Sequence, residues 1–409
     1  MGRWERCLQD WMRRNILLLG YAAVLLLGLF LRWSYLSHLA ADLLYMNSSW
    51  FDALREGGIA AALAPELQFT YSPLHLYLWL LPAKLLGNSD THLVLKLISL
   101  GFEMLNAAAC LWLLKLLWPK KKALGPFIGY SLVWLSPVML WNVAAWGQTD
   151  VYYALFCVLA VALLVQDRPE GGLVSLGVAL AWKLQAVFLL PLFVMAYFCG
   201  RKRFSLLWFL AVPGLLVASG LPMALVGESP LFAVNVYLGQ TDLYTKITYN
   251  CPNLFAIFGG VAANPAADVP FSWSGILLCV SALALVTAWL VKRDVVLTDR
   301  AIVLLGAWCV LCCVFFLPRM HERYAIVGEL LLCCWAAGSG KPRAYACVVL
   351  TTVTALSAYA QYLFQQSFFS LQIGGYLNLL ALGLLTLEVL EAIGKEAAAV
   401  AAVQGEVAA

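Results

Sequence analysis

Apolar residues in this chain fall in long unbroken runs, and the polar residues gather between them, which is neither the alternation of a half-buried strand nor the spacing of a soluble amphipathic helix. About 20 apolar residues carry a helix across the hydrocarbon core. The runs predict helices near 15–36, 91–117, 124–141, 150–166, 171–183, 185–198, 204–225, 272–291, 301–317, 325–338, 345–363 and 374–392. The fold class that follows is an all-α polytopic membrane protein, a bundle of about 12 transmembrane helices. Residues 171–198 are too long for one helix and read as two that turn near Lys183. Residues 73–87 are apolar but only 15 long and contain Pro82, so they read as a helix lying in or dipping into the interface.

Composition agrees: 63% of the 409 residues are hydrophobic and 12% charged, where a soluble domain carries roughly 25% charged. The net charge of +4 is small, and the cations sit in short clusters between apolar runs instead of on one face, which argues against nucleic acid as a partner. The clusters are Arg3/Arg6/Arg13/Arg14, Lys120/Lys121/Lys122, Arg168, Arg201/Lys202/Arg203, Lys292/Arg293/Arg300 and Lys341/Arg343. Placing all of them on the cytoplasmic side needs an even number of crossings between neighbouring clusters, and the twelve runs supply it. Both termini are then cytoplasmic: an arm over 1–14, a membrane domain over 15–392 and an Ala-rich tail over 393–409 read as disordered. The arm is not a signal peptide, because the apolar run after it is long and no small-residue cleavage site follows. The outer face receives a long first loop, 37–90, with interfacial helices, and the segments 144–150, 226–270 and 318–324. Cysteines such as Cys279, Cys309, Cys312, Cys313, Cys333 and Cys334 lie in apolar runs, with no spacing that suggests zinc or a disulfide framework.

The external segments hold the candidate chemistry. Asp42 follows the first crossing, where a carboxylate facing a cavity can act as a general base; a solvated loop carboxylate is the plainer alternative. Arg319-Met320-His321-Glu322-Arg323 sets four ionisable groups between two apolar runs. Such groups are costly in lipid, and Arg suits bidentate recognition of phosphate; an interfacial loop pairing with headgroups is the competing explanation. Lys183 is a single cation at a helix turn, either snorkelling or facing an anion. Trp146-Gly147-Gln148-Thr149-Asp150 offers a ring, a flexible joint and hydrogen-bonding groups of the kind that suit sugar hydroxyls. Tyr71-Ser72-Pro73-Leu74 begins the dipping helix, and Glu103 and Glu329 read as structural.

These blocks, with Trp50, Trp182-Lys183-Leu184-Gln185 and Asn250-Cys251-Pro252-Asn253, come in an order that resembles the GT-C superfamily of integral-membrane glycosyltransferases over roughly residues 30–330. The chain looks closest to bacterial proteins related to GPI mannosyltransferase II. It is more distantly similar to the dolichyl-phosphate-glucose-dependent glucosyltransferases. The resemblance implies a polyprenyl-phosphate-sugar donor, transfer of a hexose (mannose favoured) with inversion, and an extracytoplasmic active site in the plasma (inner) membrane. Asp42 matches the catalytic acid of the first loop. Lys183, Arg319, His321 and Arg323 would bind the lipid phosphate, and Trp50, Tyr71, Trp146, Gln148, Asp150, Gln185, Asn253 and Glu322 would form the sugar and acceptor site. Ser72 stands where a second Pro is usual, which is expected to loosen that helix start, and Ala41 where Gly often precedes the acid. No cofactor and no metal are expected, and the acceptor is a glycan, a glycolipid or a protein. A lipid phosphate leaves without a general acid, so one base plus phosphate-binding cations suffices, unlike the carboxyl pair of glycosidases. The rival from another class is a flippase or transporter of a lipid-linked sugar, which would favour two related halves and polar groups near the midplane; here the polar groups gather at one face.

Overall fold

The computed structural model describes residues 2–118, 124–243, 246–259 and 265–408; the lysines at 120–122 lie outside them. The helices are α1 (Arg3–Arg14), α2 (Ile16–Trp33), α3 (Ser48–Gly57), α4 (Ile59–Ala62), α5 (Pro73–Leu85), α6 (Thr91–Leu117), α7 (Leu124–Trp134), α8 (Pro137–Leu140), α9 (Asp150–Val165) and α10 (Pro169–Trp182). They continue as α11 (Leu190–Cys199), α12 (Ala211–Gly220), α13 (Phe232–Leu243), α14 (Leu254–Ile257), α15 (Pro265–Lys292), α16 (Asp299–Phe316), α17 (Ile326–Ser339), α18 (Pro342–Phe364) and α19 (Leu371–Ala408). The sheet among the described residues is a parallel pair of two-residue strands, β1 (Thr248–Tyr249) and β2 (Met320–His321). The chain is an all-α polytopic membrane protein. The last helix continues to Ala408 where the sequence suggested disorder from residue 393, and its side chains after Lys395 lie outside the described residues.

Among the described residues, eight helical segments are long and apolar enough to cross a membrane: Ile16–Trp33, Thr91–Leu117, Leu124–Ala145, Leu206–Val226, Val269–Lys292, Asp299–Phe316, Pro342–Phe364 and Leu371–Lys395. The other four expected crossings are shorter. Asp150–Val165, Leu184–Cys199 and Ile326–Ser339 are apolar helices of 10–17 residues, and α10 has 14. At 1.5 Å per residue, a helix four to six residues short of a full crossing falls about 6–9 Å short of the far surface. These short helices form the centre of the bundle: α9 packs against α6, α10, α16 and α17, and nearly all its residues are buried.

The four short helices share one recessed end. Asp150 begins α9, Lys183 follows α10, Gln185 lies in the turn before α11, and Arg323 precedes α17. Polar groups that lipid would penalise are thereby gathered at one end of the bundle centre, where Asp150 meets Lys183 and Arg323. The opposite end is closed by ion pairs between neighbouring helices: Arg201 with Asp167 (3.0 Å), Lys202 with Glu170 (2.9 Å), Lys341 with Glu388 (2.6 Å) and Arg343 with Glu391 (2.8 Å).

Residues 43–90 fold over the recess. Pro at the first position of α5 costs no hydrogen bond, and Ser72 Oγ accepts from the Leu74 amide at 3.2 Å. Ser72 therefore caps this helix, where a loosened start was expected. The α3 and α5 helices enclose a small core of Trp50, Phe51, Leu54, Leu76 and Trp79. His75 ties α5 to the turn before α9, its Nδ1 3.2 Å from the Ser72 carbonyl and its Nε2 3.3 Å from Thr149 Oγ1. Burial, aided by the Lys183 charge, pushes the imidazole down to about 3, so it holds this contact as a neutral ring.

Candidate functional site

Asp42 heads a wide π-type turn over Leu43–Asn47, and a second such turn over Trp141–Ala145 runs into Trp146. Turns of this kind shift side chains off the regular helical register and recur at functional sites. Here they bring two segments face to face. The Asp42 Oδ2 accepts from Gln148 Nε2 at 2.6 Å and from Trp146 Nε1 at 3.3 Å. Between those donors Gly147 has φ 75°, and a Cβ there would come within 2.9 Å of Leu43; glycine permits the close approach and the left-handed backbone. The other oxygen, Oδ1, accepts from the Tyr362 hydroxyl of α18, whose ring stacks on Trp146 with centroids 4.3 Å apart. A carboxylate offers about four lone-pair positions. Three are occupied by these donors, which leaves one for a ligand hydroxyl.

Behind this layer lies a second one. Asp150 is fully buried and pairs with Lys183 through Oδ1, while its Oδ2 accepts from Asn142 Nδ2 at 3.1 Å and lies 3.5 Å from Arg323 Nε. Asn142 Nδ2 also donates to the Tyr359 hydroxyl at 3.2 Å. Arg323 stands 5.2 Å over the Trp146 ring and reaches Glu322 at 3.5 Å. One carboxylate thus fixes two cations from different helices, as a buried charge requires. Arg323 keeps its proton: burial opposes the charge, and Asp150 and Asp42 outweigh it.

In front lies a cleft of about 680 Å³ lined by Asp42, Glu66, Tyr71, Lys246, Tyr249, His321, Glu322, Arg323 and Tyr362, among others. The β1–β2 pairing forms one wall, and the Tyr249 and His321 rings stack with centroids 4.7 Å apart. Burial, then the charges of Arg323 and Lys183, hold His321 down at about 2, so its ring is neutral. Glu322 moves the other way. Burial raises it to about 7, with Arg323 opposing and Asp42 and Asp150 adding to the rise. Glu322 also lines a second, narrow space of about 40 Å³ beside Glu329 and Asn378. The volume and the mixture of rings, acids and cations suit a polyhydroxylated ligand with an anionic group.

The expected site residues divide into three groups. Asp42, Tyr71, His321, Glu322 and Arg323 line the cleft. Trp146, Gln148, Asp150 and Lys183 stand behind it: Trp146 Nε1 and Gln148 Nε2 donate to Asp42, and Lys183 pairs with Asp150, so they position the lining rather than form it. The remainder sit elsewhere. Trp50 is buried in the loop core with Nε1 on the Leu67 carbonyl at 2.8 Å. Asn253 caps α14, its Oδ1 accepting from the Ala256 amide at 3.2 Å. Gln185 is buried in the turn before α11, and Arg319 is exposed with φ 62°.

Sequence reasoning missed several participants. Tyr362, Tyr359 and Asn142 occur within apolar runs with nothing nearby to mark them. Lys246 lies in the external segment 226–270, whose sequence signal is Asn250-Cys251-Pro252-Asn253 and not this lysine. Lys96 is the least visible: fully buried in α6, it donates to the His38 carbonyl, to Tyr35 at 3.2 Å, Leu36 at 3.1 Å, Ala144 at 2.7 Å and Ala145 at 3.5 Å. One ammonium therefore ties the segment leading to Asp42 to the segment leading to Trp146. Arg32 and Glu103 form a second buried pair, with Arg32 Nε 2.8 Å from Oε2 and its guanidinium 3.9 Å over Trp134. This pair fastens α2 to α6 and α7, the structural role expected for Glu103.

The family model of glycosyltransferase family 87 matches residues 69–318, more than half of the chain. The match includes Tyr71, the 146–150 turn and Lys183; Asp42, the 319–323 segment and Tyr362 lie on either side of it. No curated protein matches the chain significantly.

Proposed function

The chain belongs to glycosyltransferase family 87, and from that premise we propose that it moves a hexose from a polyprenyl-phosphate-sugar donor to an acceptor hydroxyl, with Asp42 as general base. A sugar transferase of the membrane needs a donor whose leaving group can depart without acid help, and a phosphate carries the departing charge itself. The acceptor oxygen attacks the anomeric carbon as Asp42 takes its proton; the bond from that carbon to the phosphate oxygen breaks, and the phosphate leaves with the electron pair. One displacement inverts the anomeric centre. Arg323 and Lys246 face the leaving phosphate, His321 offers a neutral N–H, and Tyr71 and Tyr249 give the sugar ring flat apolar faces. Lys183 acts through Asp150 to hold Arg323. Mannose is the favoured sugar, from the resemblance to GPI mannosyltransferase II-like proteins. The acceptor is a glycan, a glycolipid or a protein on the extracytoplasmic side of the plasma membrane, and neither cofactor nor divalent metal takes part.

The observation that carries this reading is Asp42 itself: a carboxylate that lines a ligand-sized cleft and is oriented by three donors. The test is transfer by the purified protein from a panel of radiolabelled polyprenyl-phosphate hexoses in the presence of membrane lipid extract. Transfer from one donor, lowered by about 10²–10⁴-fold in Asp42→Asn with an unchanged melting temperature, is expected for loss of a general base. Near-normal transfer by that variant overturns the assignment. Movement of a labelled donor across a liposome bilayer without transfer supports a flippase instead.

A further inference from the structure

The α1 helix takes no part in the bundle. None of its residues is buried, and Asn15 separates it from α2, its backbone leaving helical geometry at φ −110°, ψ 13° while its side chain closes α1 on the Trp11 carbonyl at 2.8 Å. The helix ends one residue before the apolar span that begins at Ile16.

Its sequence is two-faced. Trp4, Cys7, Leu8, Trp11 and Met12 follow the i, i+3, i+4, i+7, i+8 spacing that gathers side chains on one side of a helix. All five are exposed, Trp4 at 70%. The other positions hold Arg3, Arg6, Arg13 and Arg14 against Glu5 and Asp10, an excess of two positive charges. Tryptophan, an apolar stripe and arginine on a helix of low overall hydrophobicity are the features of a helix that lies in the plane of a bilayer surface. Its junction with α2 leaves it within reach of the leaflet in which that span begins.

We propose that α1 is a binding surface for anionic lipid headgroups. The Trp4–Met12 stripe enters the headgroup–acyl boundary and the four arginines engage lipid phosphates, so that the helix lies across the membrane surface at the foot of α2. The ligand is the bilayer itself, and this reading is independent of the transferase assignment. The helix is a detector of surface charge as well as an anchor, because the arginines respond to the leaflet's potential while the stripe alone does not.

Cys7 lies on the stripe, and the other cysteines of the described residues are buried, so the full chain can be labelled at this position with an environment-sensitive fluorophore. The labelled protein is placed in nanodiscs of phosphatidylcholine alone or mixed with phosphatidylglycerol. Adding the anionic lipid is expected to cut quenching by aqueous iodide severalfold and to raise quenching by bromine-bearing acyl chains. Replacing Arg3, Arg6, Arg13 and Arg14 by Gln is expected to abolish that difference. Trypsin cleavage of the unlabelled protein within residues 3–14 gives a label-free reading, with cleavage slowed on the order of tenfold by anionic lipid. Iodide quenching and cleavage rates that are equal in the two lipids overturn the proposal, as does an anionic-lipid response that survives loss of the four arginines.

Discussion

The hydroxyl of Tyr362 donates to Oδ1 of Asp42 across a sequence separation of 320 residues. The ring of the same tyrosine stacks on Trp146, which donates to the other oxygen. Tyr362→Phe keeps the stack and removes one of three donors. Initial-rate measurements are expected to show kcat lowered by about tenfold, equivalent to one hydrogen bond of about 1.4 kcal/mol, with thermal stability nearly unchanged. Unaltered kcat would mean that two donors suffice to orient the carboxylate.

Asp150 is the anion on which Lys183 and Arg323 both depend. Asp150→Ala leaves Lys183 without its carboxylate and Arg323 with Glu322 at 3.5 Å, and removing one member of a buried pair costs about 3–5 kcal/mol. Lys183→Met leaves Asp150 with Arg323 and Asn142 and is expected to cost less. Unfolding of the two single variants and the double variant closes a mutant cycle, for which a coupling of about 1–3 kcal/mol is expected. Simple additivity would show that the two groups do not support one another.

Glu322 gives stability a pH dependence. Its folded value of about 7 lies above the ordinary 4.5, so the folded state holds the proton more tightly than the unfolded chain does. The contribution is complete below the ordinary value and is lost as pH rises through about 7. Its size is on the order of 3 kcal/mol. The groups facing it are Arg323, Asp42 and Asp150. The melting temperature is expected to fall as pH rises through this window, and Glu322→Gln is expected to flatten the curve. A variant with the same slope as the parent would assign the titration to another group.

Lys96 is a test of positioning at a distance. Lys96→Met leaves the carbonyls of residues 35, 36, 38, 144 and 145 without their shared donor and frees the two segments that bring Asp42 to Gln148. Displacement of a reacting group by about 1 Å costs on the order of a hundredfold in rate. The expected result is a loss of kcat of that order with a much smaller change in the KM for donor, and partial rescue by Lys96→Arg. Equal losses in both parameters would point to general unfolding.

Much of the bundle is legible in the sequence because lipid imposes a one-dimensional rule: an apolar run of sufficient length becomes a helix. The rule predicts the long spans closely and bounds α9, α10 and α17 as short runs, but it does not reveal that these form the buried centre, since a buried helix and a lipid-facing one have the same composition. Asp42 is legible from its place after the first span, and the 146–150 turn from its Gly and polar groups. Tyr362 and Lys96 are not. Each lies within an apolar run, and its role is set by partners 48 or more residues away. Asn253 and Trp50 show the converse, since their motifs are conspicuous and their polar atoms serve a helix cap and a loop carbonyl. Motif order indicates which segments meet; only packing shows which atoms within them face the cleft.

The span that bears Tyr362 is the last but one in the chain, whereas Asp42 follows the first long one. During synthesis the carboxylate is laid down early, the Trp146 and Gln148 donors arrive next, Arg323 follows, and the final donor enters only with α18. A nascent chain halted before that helix holds the Asp42 carboxylate with one oxygen unsecured. Order of insertion thereby makes the fully oriented carboxylate a property of the nearly complete chain.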